Sequence, residues 1–185
     1  MCTYLGTAGK INDNDIDATI IKDSEITFLE GYLWDEGQPK KAFDKAIKNS
    51  NKVAMSLSDL FCVERHKKQF LELVKNKLDI IFANEQEIFS LIDSKSFEEV
   101  ISFSKHLKKD IIVTRGKNGA VAINGNSVVE CQAKKDLNIK DLTGAGDLFA
   151  AGYLHGYINK LSKKECLEKG TELSSKVIQK IGARL

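Results

Sequence analysis

The chain has 185 residues, 42% hydrophobic and 29% charged, the size and balance of one globular domain able to bury roughly 70% of the surface of its unfolded form. Twenty-eight Lys and Arg against 26 Asp and Glu leave a formal charge of +2, which argues against the concentrated positive field of a nucleic-acid binder. No apolar stretch approaches the ~20 residues that span a bilayer, and the start at Met1 has neither the basic flank nor the apolar run of a signal peptide, so a cytoplasmic protein with no membrane partner is expected.

Residues 1–25 fit no pattern well; Thr3 to Thr7 reads as a strand, yet before any partner is in view, like the interior of a longer parent. From there, strand-like runs alternate with amphipathic helical ones, the signature of βα units and a parallel sheet. A strand is predicted over Ile26 to Tyr32 and a helix from Pro39 to about Ser50, with Ala42, Phe43, Ala46 and Ile47 as its apolar stripe. Val53 to Leu57 is a strand, Ser58 or Asp59 an N-cap, and Val63, Phe70, Leu71, Val74 and Leu78 mark a helix to about Leu78. Asp79 to Ala83 reads as a buried strand, Asn84 caps a short helix with Glu87, Ile88, Leu91 and Ile92, and Ser96 caps another to about Leu107. Asp110 to Thr114 is a further strand. Ala120 to Ile123 and Ser127 to Cys131 are joined by Asn124-Gly125-Asn126, a hairpin signal of type I′ character that ends the sheet antiparallel. Two helices close the chain: Ala145 to about Asn159, apolar nearly all round and therefore expected to be central, and Lys163 to about Ile181 with one apolar stripe. With a single proline and no linker, residues 1–185 read as one domain.

Cys2, Cys62, Cys131 and Cys166 form no C-x-x-C pair, and His66, His106 and His155 share no i, i+4 pairing, so reduced buried thiols are expected and a protein-built metal cage is not. Tyr32 and Trp34 read as core or interface aromatics, and Lys67-Lys68 and Lys108-Lys109 as solvated faces.

Three segments can carry chemistry. Asp141-Leu142-Thr143-Gly144-Ala145-Gly146-Asp147 enters a helix directly, and glycines there let unpaired N–H groups approach an anion closely. No Lys-Ser/Thr pair follows, so it is no P-loop. Asp147 instead places a carboxylate where it could accept a hydroxyl proton during phosphoryl transfer, or merely cap the first turn. Asn84 and Glu87 stand at a strand end, where ligands of open α/β sheets bind; taken alone they read first as a capping box, and they can at the same time hold Mg²⁺ through water. Thr114, Gly116 and Gly119 leave another strand end in a loop able to lie against phosphate or ribose, or simply to turn.

Together, in this order and spacing, the three segments resemble the ribokinase-like (PfkB) family of carbohydrate and nucleoside kinases, over nearly the whole chain. In that family N-x-x-E acts on Mg²⁺ and phosphate, T-x-G-x-x-G lines the nucleotide site, and D-T-x-G-A-G-D supplies the anion hole and the base. Leu142 replaces the common threonine, a departure expected to matter little because backbone groups hold the phosphate. Glu30 to Leu33, Ser58 to His66 and Gly182-Ala183-Arg184 look most like the adenosine-kinase-like branch. The resemblance implies a three-layer α/β/α fold that uses ATP and Mg²⁺ and phosphorylates a hydroxymethyl group of a sugar or nucleoside. Gly144, Ala145 and Gly146 would form the anion hole and Asp147 the base, with Thr114, Gly116, Gly119 and Thr143 at the nucleotide, Asn84 and Glu87 at the metal, and K⁺ near Asp141. It also implies that the early strands, an acceptor-gripping glycine pair and acid, and a small β lid are missing. The uncovered surface then favours a homodimer. A non-catalytic nucleotide-binding or interaction fragment is the competing reading, whereas a dinucleotide oxidoreductase is disfavoured because no G-x-G-x-x-G follows the first strand.

Overall fold

A computed structural model describes residues 4–34 and 37–185. Four runs lie side by side as parallel strands: β1 (Thr27–Glu30), β2 (Val53–Ser56), β3 (Ile80–Asn84) and β4 (Asp110–Thr114). β5 (Ala120–Asn124) and β6 (Ser127–Cys131) return antiparallel, and the strands neighbour one another in chain order. Val53 to Met55, Ile80 to Ala83 and Ile111 to Val113 are buried without alternation, because helices cover both faces of the sheet.

The helices are α1 (Ala18–Asp23), α2 (Gln38–Asn49), α3 (Leu60–Asn76), α4 (Glu85–Ile92), α5 (Phe97–Ser104), α6 (Ala145–Ile158) and α7 (Lys163–Val177). On one face Phe43, Phe70, Val74, Ile88, Leu91 and Val100 pack on Met55, Ile81, Ile111 and Val113. On the other, Phe149, Tyr153 and Leu167 of α6 and α7 meet Ala54, Ile80, Phe82 and Ile112. This is the expected three-layer α/β/α arrangement, mainly parallel with an antiparallel edge. Asp59, Asn84 and Ser96 cap α3, α4 and α5 with their side chains, each satisfying a donor that the first turn leaves open.

The α6 helix crosses α7 at backbone contact: a Cβ on Gly152 would lie 2.6 Å from Lys169 O, and one on Gly170 2.7 Å from Phe149 O. It is not wholly enclosed, since Ala151, His155 and Ile158 are exposed. Its all-round apolar character comes from small residues at the crossing, not from burial on every side.

Several boundaries differ from the sequence expectation. The first strand stops at Glu30, and Gly31–Leu33 turn in a 3₁₀ helix that starts where a Cβ on residue 31 would sit 2.8 Å from Leu57 O, so glycine stands there. The second strand ends at Ser56, the third begins at Ile80 and reaches Asn84, and α7 ends at Val177 with Ile181 87% exposed, because the chain turns back there onto Asp141. The last helix of the β3–β4 crossover stops at Ser104, short of Leu107. The hairpin turn has positive φ at Gly125 (58°) and not at Asn126, the type II′ pattern in place of type I′. Of the predicted strand Thr3 to Thr7, Thr3 lies outside the described residues; Tyr4 to Thr7 form no strand, with Tyr4 95% exposed and Gly6 turning at φ 57°. Cys62, Cys131 and Cys166 are free and buried, while Cys2 lies outside the described residues. Among the described residues no helix is long and apolar enough to cross a membrane, and no cluster of three metal-ligating side chains exists.

Candidate active site

The parallel strands deliver their last residues to one edge of the sheet: Glu30 pairs in register with Ser56, and Asn84 with Thr114. A cleft of about 670 Å³ opens there, between these strand ends and the start of α6, with Asn84, Glu87, Thr114 and the whole Asp141 to Asp147 segment on its walls. This is the position outside the carboxyl ends where open α/β sheets take ligands.

The start of α6 is built for an anion. Gly144 is the N-cap, left-handed at φ 79°, and a Cβ on it would stand 2.8 Å from the Ala183 side chain. Only glycine fits without displacing the chain end. Ala145 N–H donates to Leu142 O at 3.2 Å, and Leu148 N–H to Gly144 O at 2.9 Å. Among the described residues the N–H groups of Gly144, Gly146 and Asp147 find no acceptor, so three donors remain beside the Asp147 carboxylate at the positive end of α6. Asp141 braces this loop: its carboxylate accepts from Thr143 N (2.9 Å), Thr143 Oγ1 (2.7 Å) and Gly182 N (2.9 Å), and these donors hold its pKa below the usual range. The Thr143 hydroxyl is thereby committed to Asp141, and Leu142 is 66% exposed between the cleft and its neighbour.

Asn84 and Glu87 do form the capping box. Glu87 N donates to Asn84 Oδ1 at 2.9 Å, while the two Glu87 oxygens accept from Asn84 N at 2.9 Å and Asn84 Nδ2 at 2.6 Å. They also line the cleft, so one geometry satisfies both readings. Glu87 is 5% exposed, and burial pushes its pKa up to about 7, with Asp59 adding to the rise. A group so placed gains from an arriving cation.

A second cavity of about 410 Å³ adjoins the first, sharing Thr114, Leu142, Ala145, Gly146 and Phe149 with it and adding Gly116, Gly119 and Ile178. Gly119 (φ 89°) lies so close to β6 that a Cβ would sit 1.9 Å from Cys131 O. Arg115 ties the loop down through Glu85 (3.1 Å) and the Phe97 ring (4.4 Å). All the sequence-predicted site residues thus gather on two joined cavities whose common wall is the start of α6.

The sequence reading gave the far side of the cleft no site role. Ser56, Ser58, Asp59 and Tyr32 line it, Tyr32 being half-buried there while Trp34 is a core residue as expected. Glu30 stands beside them at the end of β1; burial raises its pKa to about 7, and the nearby Asp147 charge contributes. The signal available was an acidic residue at a strand end immediately before a glycine.

Two carboxyls raised from an ordinary 4.5 to about 7 fix the sign of a pH effect. Between those values the folded chain holds protons that the unfolded chain has released, so stability falls as pH rises. Thermal unfolding followed from about pH 5 to about pH 8 should show this decline, and Glu30→Gln should flatten it. An unchanged slope in that variant would mean that Glu30 titrates normally.

The pfkB carbohydrate kinase family matches residues 2–185. An adenosine kinase structure from Sinorhizobium meliloti superposes with TM-score 0.91 at 35% identity, covering 96% of this chain and 56% of that one. The curated ribokinase of Lactococcus lactis is 30% identical over 164 residues, 89% of this chain and 51% of the relative. An E. coli protein crystallised with ATP and Mg²⁺ shares the fold, with TM-score 0.84 at 18% identity over 95% of this chain and 58% of its own. The chain therefore spans about half the length of the proteins it matches. With the family matching residues 2–185 and the fold agreeing, this chain belongs to the pfkB family of carbohydrate kinases.

Proposed function

We propose that the chain carries the nucleotide-binding and phosphoryl-transfer machinery of an ATP-dependent kinase that phosphorylates a hydroxymethyl group of a sugar or nucleoside in the cytoplasm. The observation that carries this reading is the set of free N–H groups on Gly144, Gly146 and Asp147, next to the Asp147 carboxylate, on the wall shared by two cavities. ATP would lie with its nucleoside in the cavity of Thr114, Gly116 and Gly119 and its terminal phosphate at the start of α6. Asp147 would take the acceptor's hydroxyl proton, and the N–H groups would hold the charge that develops on the phosphoryl oxygens. Ala145, whose N–H is already turned to Leu142, would contribute mainly by its place in the turn. Mg²⁺ arriving with the nucleotide would neutralise phosphate charge, and Asn84 and Glu87 are the residues fitted to hold it through water. K⁺ near Asp141 belongs to the same proposal, tested by comparing rates in potassium and choline buffers. The buried free thiols of Cys62, Cys131 and Cys166 agree with a reducing compartment.

Mixing the protein with Mg·ATP and either adenosine or ribose tests the reading: weak ATP binding with little or no turnover is expected of a chain that spans about half its relatives, and acceptor-dependent ADP release wherever the acceptor-gripping segments are also supplied. Nucleotide binding without turnover on any sugar or nucleoside even then would favour a binding module. Glu87→Gln should raise the Mg²⁺ concentration for half-maximal rate. Asn84→Ala should do the same and cost about 1 kcal/mol of stability through the lost cap. If the Mg²⁺ dependence stays put in both, the pair is a cap and nothing more.

Self-association is the remaining part of the proposal. β1 is an edge strand of the sheet, paired on one side by β2, and an open edge presents unpaired backbone groups. A two-fold dimer closing over that edge is expected in sedimentation at micromolar concentration, and a well-folded monomer there would remove it.

A further inference from the structure

Ser58 combines two features that the catalytic groups do not explain. It lies two residues past the end of β2 and sits in the left-handed region at φ 72°, a conformation that costs a residue with a Cβ about 1–2 kcal/mol and that glycine adopts freely. A serine at a position where glycine would be unstrained points to a use for the hydroxyl. That hydroxyl bridges the two strand ends: its oxygen accepts from Tyr32 N at 3.3 Å, and its single proton lies between Glu30 Oε2 at 3.1 Å and Ser56 O at 3.3 Å. The Ser58 N–H donates to Ser56 Oγ at 3.1 Å, fixing the turn from behind. Below it, Gly31 allows β1 and β2 to approach so closely that a Cβ there would meet Leu57 O at 2.8 Å.

We propose that Ser58 is a positioning residue of the acceptor side of the cleft: its strained backbone carries the hydroxyl to where it holds the Glu30 carboxyl at the end of β1 and anchors the turn that presents Tyr32. The proposal rests on the kinase reading for the meaning of "acceptor". Asp147, on α6, is the charged group that acts on Glu30 across the cleft, and Ser58 is the hydrogen-bond donor that favours its ionised form. An acceptor entering the cleft beside Ser58 would find Asp147 on the opposite wall to take its hydroxyl proton, while Glu30, held by Ser58, orients the ring. Without the Ser58 hydroxyl, Glu30 loses a donor and its fixed rotamer, and the geometry for proton removal loosens.

Ser58→Gly and Ser58→Ala separate this role from a structural one, because the glycine relieves the backbone strain that the alanine keeps. In the full chain, carboxyl ¹³C NMR titration, with Glu30→Gln identifying the resonance, should show the Glu30 midpoint rising by about 0.5 pH or more in both variants. Thermal stability of Ser58→Gly should equal or exceed that of the parent chain. With Mg·ATP and adenosine or ribose, Ser58→Gly should lose about tenfold or more in kcat/KM for the acceptor, while KM for ATP stays within about twofold. An unmoved Glu30 midpoint in both variants overturns the proposal, as does full acceptor kcat/KM in Ser58→Gly. If the parent chain transfers phosphate to neither acceptor, the kinase reading loses this support separately, and the titration alone decides whether Ser58 holds Glu30.

Discussion

Asp147→Asn should lower kcat for phosphoryl transfer by about 10²–10⁴, a barrier increase of about 3–5 kcal/mol, in any preparation of the protein that transfers phosphate. Asparagine keeps the shape of the first turn of α6 and leaves the free N–H groups of Gly146 and of residue 147 in place, so the anion site survives while the proton acceptor is lost. ATP affinity measured by calorimetry should therefore change little, and the whole loss should fall on kcat. A variant retaining more than half of kcat would reduce Asp147 to a capping residue.

The largest stability effect is expected at Gly152. Replacing glycine by valine inside an exposed helix would cost little and could even gain from the backbone entropy that glycine forfeits, worth less than about 1 kcal/mol. Here a Cβ would stand 2.6 Å from Lys169 O and 2.8 Å from Gly170 Cα, both backbone atoms of α7 that cannot swing aside. The clash decides the sign. Forced separation of two packed helices costs about 3 kcal/mol or more, so Gly152→Val should lower Tm by about 6–12 °C in a chain of this size. Because Asp147 rides on the same helix, ATP binding should weaken as well. A Tm within about 2 °C of the parent would show that α6 and α7 are not in backbone contact.

Legibility in the sequence followed the range of the interaction involved. Asp110 to Thr114 reads correctly to the residue, because a continuous apolar run between polar ends is a local property. The glycine loops were legible because their chemistry demands the residue itself: Gly119 must clear Cys131 O, and Gly144 must clear Ala183. The far side of the cleft was not, because it is made by contacts between distant segments. Glu30 is one more polar residue at a strand end until the Ser58 hydroxyl is placed on it. Asn84 and Glu87 could not be resolved between cap and ligand for a different reason: the same two residues make the capping box and line the cleft. The end of α7 was overextended because Ile181 matches the helical stripe, while Gly182, held by Asp141 on a distant loop, draws the chain out of the helix.

The site is tested most directly by amide NMR of the ¹⁵N-labelled chain titrated with Mg·ATP. The expected result is perturbation of the Gly144, Gly146 and Asp147 amides, the free donors, together with Thr114, Gly116 and Gly119, and little change along α2, which lies on the other side of the molecule. Saturable shifts confined to other surfaces, or none at millimolar nucleotide, would contradict the assignment of the start of α6 as the seat of the transferred phosphate.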